Sequence, residues 1–171
     1  MTNYQPGDTL LNKYRLEALI GRGAFAEVYR VTHLTLNVTR AVKVFSRETP
    51  GVGSTEFNEF LGRFQLEAQL GAELNTPVPH PNLVQVYDFQ SEGELLLLEM
   101  EYAAGGSLAE CIARARKEAE LFPIDDVLQI SMEIARGLAA IHDQDTVHRD
   151  LKPSNILLCG TFTGSKGCCT F

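Results

Sequence analysis

Gly21-Arg22-Gly23-Ala24-Phe25-Ala26-Glu27-Val28-Tyr29-Arg30-Val31-Thr32 is the stretch on which the fold turns. Its first six residues fit G-x-G-x-x-G/A, a pattern shared by unrelated phosphate-binding designs. A dinucleotide fold needs a helix directly after the glycines, because the helix amino terminus holds the pyrophosphate. Residues 27–32 are instead a β-favouring run, so the glycines join two strands. In a strand–loop–strand of this kind, backbone N–H groups can approach phosphates closely. Taken alone, the same loop could equally be a plain hairpin turn. Ala26 occupies the third small position at some cost in backbone freedom.

The flanking segments extend the strand pattern. Residues 14–20 and 39–45 read as strands, and residues 1–12 as a polar, turn-rich lead-in. Pro50, Gly51, Gly53 and Ser54 mark a loop. Apolar positions recur at helical spacing over residues 56–74, despite Gly62 and Gly71, each costing about 1 kcal/mol against alanine. Pro77, Pro79 and Pro81 forbid the helix from continuing. Residues 83–89 and 94–102 read as a strand pair around Ser91-Glu92-Gly93. Ser107 with Glu110 three residues later is a capping box that opens a helix. A second helix follows Pro123, with Ile124, Val127, Leu128, Ile134, Ala135, Leu138 and Ile141 on one side. Strands first, one helix inserted, then helices: the order predicts an α+β fold in two lobes.

Bulk properties exclude several classes. The length of 171 residues corresponds to about one domain. The net charge of −7 argues against a nucleic-acid or anionic-membrane binder, either of which needs a basic surface. Apolar runs such as Leu95 to Leu98 have strand length, far short of the roughly 20 residues that span a bilayer. The amino terminus lacks the pattern of a secretory signal. The four cysteines show no disulfide framework, so a reducing cytoplasm is the simplest setting.

Three further features carry chemistry. Side chains alternate along a strand, so Ala41 and Lys43 share a face: room for a base beside a charge for phosphates. Glu67 sits on its helix among Phe60, Phe64, Leu70 and Leu74, where a carboxylate needs a partner. Arg63 is one candidate, in the weaker basic-before-acidic order; Lys43 is the better one. The string His148-Arg149-Asp150-Leu151-Lys152-Pro153-Ser154-Asn155 is the most specific in the chain. In a phosphoryl-transfer reading, Asp150 accepts a hydroxyl proton, Lys152 neutralises the moving phosphoryl group and Asn155 ligates Mg²⁺. His148 reads as a packing residue.

In this company the chain resembles the eukaryotic-type protein kinases, through GRGAFAEV (21–28), AVKV (41–44), Glu67, HPNLV (80–84), LEMEYAAGGSL (98–108) and HRDLKPSNILL (148–158). The resemblance covers residues 14–158. It implies a protein-kinase-like fold with a complete small lobe (14–102, antiparallel sheet plus one helix) and the first part of the helical large lobe (103–158). Residues 1–13 are then a lead-in and 159–171 an atypical tail. It implies ATP with Mg²⁺, and transfer of the γ-phosphate to a serine or threonine hydroxyl of a protein substrate. LKPSN is similar to the serine/threonine branch, and the opening wording to bacterial members. The nucleotide-binding residues so implied are Ile20, Gly21, Gly23, Val28, Ala41, Lys43, Glu67, Glu101 and Ala103. Asp150 and Lys152 are the catalytic pair, and Asn155 is the metal ligand. Met100 guards the back of the adenine pocket.

The resemblance stops early. The family supplies Asp-Phe-Gly, whose Asp holds the Mg²⁺ bridging the phosphates, and a later activation segment; here no Asp or Glu follows Asp150. The expectation is a chain truncated or frame-shifted past the catalytic loop, with ATP binding retained and turnover crippled. The apolar side of the 123–142 helix, normally covered, invites a partner. A non-catalytic nucleotide-binding or interaction module is the competing class. A small-molecule phosphotransferase would share His-x-Asp-x₄-Asn but not the full string. Cys159, Cys168 and Cys169 lack zinc-site spacing, and the Cys168-Cys169-Thr170-Phe171 ending lacks the aliphatic pair of a prenylation signal.

Overall fold

Strands Thr9–Leu10 (β1), Tyr14–Arg22 (β2), Ala26–His33 (β3), Val38–Ser46 (β4), Val86–Glu92 (β5) and Leu95–Met100 (β6) form one curled antiparallel sheet in the order β1-β2-β3-β4-β6-β5. One helix, Ser54–Leu74 (α1), lies between β4 and β5 in sequence. The computed structural model describes residues 4–23, 26–46, 54–74, 76, 78–93, 95–160 and the backbone of 169–170. Ala24, the Pro50–Gly53 loop, Pro77, Cys168, Phe171 and the side chains of Ser54, Phe60, Arg63 and Cys169 lie outside this description. Two compact units result: Met1–Glu73 with Gln85–Tyr102, and Leu74–Val84 with Ala103–Phe171.

In the first unit buried side chains stand on both faces of the sheet's centre, which explains why β6 reads as an apolar run interrupted only by Glu99. Along one face Leu10, Tyr14, Leu16, Tyr29, Val42 and Val44 pack into a core. On the other, Phe45, Leu96 and Leu98 pack against Phe64 and Ala68 of α1. Phe64 also meets Phe45 and Phe89 ring to ring, with centroids 6.4 and 5.9 Å apart. Of the two helix glycines, Gly71 has a packing reason. A Cβ there would overlap the Val86 side chain, so the missing atom lets α1 lie against β5. Gly62 faces open space.

The second unit is built on helices Leu108–Glu118 (α2) and Ile124–His142 (α3), a 3₁₀ turn Pro153–Asn155, and strands Leu157–Leu158 (β7) and Cys169–Thr170 (β8). The capping box forms as the spacing predicts: Ser107 Oγ accepts from Glu110 N, and the Glu110 carboxylate accepts from Ser107 N at 2.7 Å. Residues 105–108 run beside 156–158, with Gly105 N donating to Leu158 O, Leu158 N to Gly106 O and Leu108 N to Ile156 O. A Cβ on Gly105 would strike the carbonyls of Leu158 and Gly160. Cys111, Ile156 and Leu158 form the core here, with Leu108, Phe122, Ile130 and Ile134 packed around them.

Four expectations are corrected. The lead-in is structural: β1 pairs with β2, and Leu10 is buried. The strand expected over 83–89 starts at Val86 and runs to Glu92. Glu67 is not enclosed by apolar side chains; the buried helix stripe is Phe64 and Ala68, and Glu67 stands beside it with 47% of its side chain exposed. On α3 the apolar positions split between two sides. Ile141 is buried with Gly137 and Glu133, whereas Ile124, Val127, Leu128 and Met132 are exposed.

Candidate functional site

Register places the nucleotide-binding candidates of the first unit. Directly opposed residues of an antiparallel pair share a face. Gly21 pairs with Val28, Val28 with Lys43 and Lys43 with Leu98, making one row across four strands. Ala41 pairs with Met100 in a second row on that face. Ile20 is the extra residue where the β2–β3 register shifts between Leu19 and Gly21, and it is exposed. Gly23 N donates to Ala26 O at 2.8 Å and closes the hairpin. The glycine loop therefore does join two strands.

Lys43 meets Glu67 with both carboxylate oxygens, at 2.7 and 2.6 Å. The Phe64 ring centroid lies 5.6 Å from the same ammonium group. A bidentate carboxylate and an aromatic face restrict a side chain that is otherwise long and mobile. At the end of β6, Glu101 N donates to Gln85 O at 2.8 Å, which leaves the Glu101 carbonyl as the backbone group on offer. Ala103, in the second unit, accepts from Gly106 N at 3.4 Å.

The second unit gathers the rest. Asp150 Oδ2 accepts from Lys152 Nζ at 2.8 Å and from Asn155 Nδ2 at 2.9 Å, while Asn155 Nδ2 also donates to the Asp150 carbonyl. The loop that holds them is itself braced. Asp150 N reaches the His148 carbonyl and His148 Nδ1, and Arg149 adopts φ 61°, a left-handed conformation unusual for a residue with a side chain. The hydrogen bonds from Lys152 and Asn155 hold the Asp150 carboxyl below the usual carboxylate range. Asp150 is thus an oriented anion, exposed and ready to accept a hydrogen bond. Because the Asn155 amide nitrogen is committed to Asp150, its oxygen is the atom left for a cation.

Two ion clusters went unnoticed in the sequence. Glu99 is buried on β6; it accepts from Tyr14 OH at 2.7 Å and lies 3.5 Å from Lys13 Nζ. Arg40 Nε stands 3.4 Å from it, a charge contact without hydrogen-bond alignment. Lys13 also holds Asp88, the residue directly opposite Glu99, at 2.7 Å. The other cluster joins Arg22, Glu27 and Tyr29. The signal for both was a glutamate in an apolar strand, Glu99 in LLLLEM and Glu27 ahead of VYRV.

A glycine hairpin, a lysine on the adjoining strand paired with a glutamate of α1 and an Asp-Lys-Asn loop make a pattern that the model of the protein kinase domain matches over residues 14–163. The chain belongs to the protein kinase domain family. Among relatives of this kinase-family chain, the serine/threonine-protein kinase pkn3 of Myxococcus xanthus is 34% identical over 160 residues, covering 92% of the chain and 26% of pkn3. PrkC of Bacillus subtilis, also a serine/threonine-protein kinase, is 33% identical over 89% of the chain and 22% of its own length. Wee1-like protein kinase 2 of Danio rerio is 32% identical over 92% and 29%. The kinase domain of PknI from Mycobacterium tuberculosis superposes with a TM-score of 0.69 at 27% identity, covering 91% of the chain and 58% of that domain. The chain thus spans between a fifth and a third of these curated relatives' length. Among the described residues no helix is long and apolar enough to cross a membrane.

Proposed function

We propose that residues 14–102 hold ATP and residues 103–158 carry the catalytic loop of a protein serine/threonine kinase. One observation carries this reading: Lys152 and Asn155 both donate to the Asp150 carboxylate within a single short loop. The work is divided by chemistry. Gly21, Gly23, Ile20 and Val28 face the nucleotide, Ala41 leaves space for the base, and the Glu101 and Ala103 backbones serve its polar edge. Glu67 holds Lys43 in place against the phosphates. Asp150, kept ionised, orients the substrate hydroxyl and receives its proton. Lys152 exchanges Asp150 for the phosphoryl group when that charge arrives. The serine/threonine assignment draws on LKPSN and on pkn3 and PrkC. The cytoplasm suits such a substrate, and the exposed side of α3 suits a protein partner.

Among the described residues no three His, Cys, Asp or Glu side chains gather to form a cage. The Asn155 oxygen does fit the usual arrangement, in which Mg²⁺ takes one or two protein oxygens together with phosphate oxygens and water. When bound, the ion supplies charge neutralisation at the phosphates. With no carboxylate after Asp150, residues 1–171 alone are expected to bind ATP but to turn over far below the roughly 1–100 per second of kinases. Phosphate transfer from radiolabelled Mg·ATP to a generic protein substrate checks this. Slow transfer abolished by Asp150→Asn supports the reading; turnover in the ordinary kinase range would contradict the deficit, and ATP-insensitive protein the whole reading.

A further inference from the structure

Arg22 stands between the two glycines of the loop, about half exposed, yet its Nε lies 3.0 Å from Oε1 of Glu27, which is buried. Tyr29 OH donates to the other oxygen, Oε2, at 2.8 Å. Arg22 and Glu27 are directly opposed in the β2–β3 register, the last pair before the hairpin tip. Their face is the reverse of the one that carries Gly21, Val28 and Lys43, since side chains alternate along a strand. The Glu27 neighbour on β4 is Val44, buried in the apolar core. An anion in such surroundings is tolerated only where donors fix it. Tyr29 is such a donor, and Arg22 adds a charge contact without hydrogen-bond alignment that ties the buried carboxylate to the loop.

A loop with glycine at two of three consecutive positions has an unusually large conformational freedom to lose when a ligand orders it. Fixing the hairpin beforehand removes that loss from binding. Building on the nucleotide reading above, we infer that Arg22 is a positioning residue. The Arg22–Glu27–Tyr29 staple holds the glycine hairpin shut from its rear face, so that its front face meets the phosphate portion of a nucleoside triphosphate already formed. The guanidinium itself does not contact the phosphates; its charge is spent on Glu27.

Calorimetric titration of the 171-residue chain with Mg·ATP and, separately, with adenosine tests this. The expected result is about fivefold weaker binding of Mg·ATP to Arg22→Met, with adenosine affinity unchanged and Arg22→Lys restoring most of the loss. Glu27→Gln, which keeps an acceptor for Tyr29 but loses the charge, should weaken Mg·ATP by a similar factor. Three results overturn the staple while leaving the nucleotide reading intact. They are equal Mg·ATP affinity in wild type and Arg22→Met, an equal loss for adenosine, or tighter Mg·ATP binding in Glu27→Gln, which would mean that a freed Arg22 reaches the phosphates itself. A wild-type chain that binds neither ligand overturns the nucleotide reading and the staple together.

Discussion

Single residues decide how much freedom the site retains, and the two glycines of α1 show how differently the same residue type can act. Gly62→Ala is expected to stabilise the chain by about 0.5–1 kcal/mol, because the position is helical and open. Gly71→Ala is expected to destabilise it, since the new methyl group meets Val86 and must push α1 away from β5. Chemical denaturation of both variants reads the opposite signs. Asp150 is a second residue with a definite expectation. Its carboxyl is held low by Lys152 first and Asn155 second. Lys152→Met should therefore move the midpoint of its ¹³C carboxyl titration upward, because the variant loses the donor that favours the ionised form. The acid limb of any Asp150-dependent activity should move upward with it. The catalytic loop was legible in the sequence because its roles need particular side chains at fixed spacing. The degree to which Glu67 is exposed was not, because helical periodicity marks a stripe but does not say on which side of it a neighbouring strand lies.

At the scale of elements, the ion cluster around Glu99 ties the start of β2 to β4, β5 and β6. Burial would lower the Lys13 ammonium, but hydrogen bonds to Asp88 and Tyr14 outweigh it and hold it above the ordinary lysine range. Burial would raise Asp88, and Lys13 and Gln90 outweigh that and hold it low. A depressed carboxyl contributes stability above its unfolded pKa and loses it as pH falls through the folded value. A raised lysine contributes below its unfolded pKa and loses it only at alkaline pH. Wild type should therefore keep this contribution through neutral pH and lose it under acid conditions. Lys13→Met removes the cation that holds Asp88 low and leaves it directly opposite Glu99, which favours protonating Asp88. Its deficit should be about 1–3 kcal/mol near neutral pH and shrink as pH falls towards 4, the reverse of the wild-type trend. Melting curves across pH 4 to 8 check the sign. Glu99 within LLLLEM hinted at a partner, but which partner it has was not visible in sequence. Lys13 and Glu99 are 86 positions apart in numbering, and only the order β4-β6-β5 brings Asp88 and Glu99 side by side. The lead-in was likewise misjudged, since a two-residue strand gives no periodic signal while Leu10 alone carries its burial.

Over the whole molecule, the sheet, the first helix and the capped α2 were legible because hydrophobic patterning, glycine placement and capping all agree there. The sidedness of α3 was only half legible: periodicity gave the helix, whereas its inward side is set by Ile156 and Leu158, which come later in the chain. The exposed stripe of Ile124, Val127, Leu128 and Met132 has a solution consequence. Residues 1–171 are expected to self-associate as concentration rises, and Leu128→Gln with Met132→Gln to reduce this in sedimentation velocity. The central claim is that the first unit grips a nucleotide through Lys43, held by Glu67. Calorimetric titration of Mg·ATP into wild type and into Lys43→Met tests it most directly. Binding by wild type, weakened roughly tenfold to a hundredfold in Lys43→Met by the loss of a charge-assisted contact, is the expected result; equal affinities, or no binding by wild type, would contradict it.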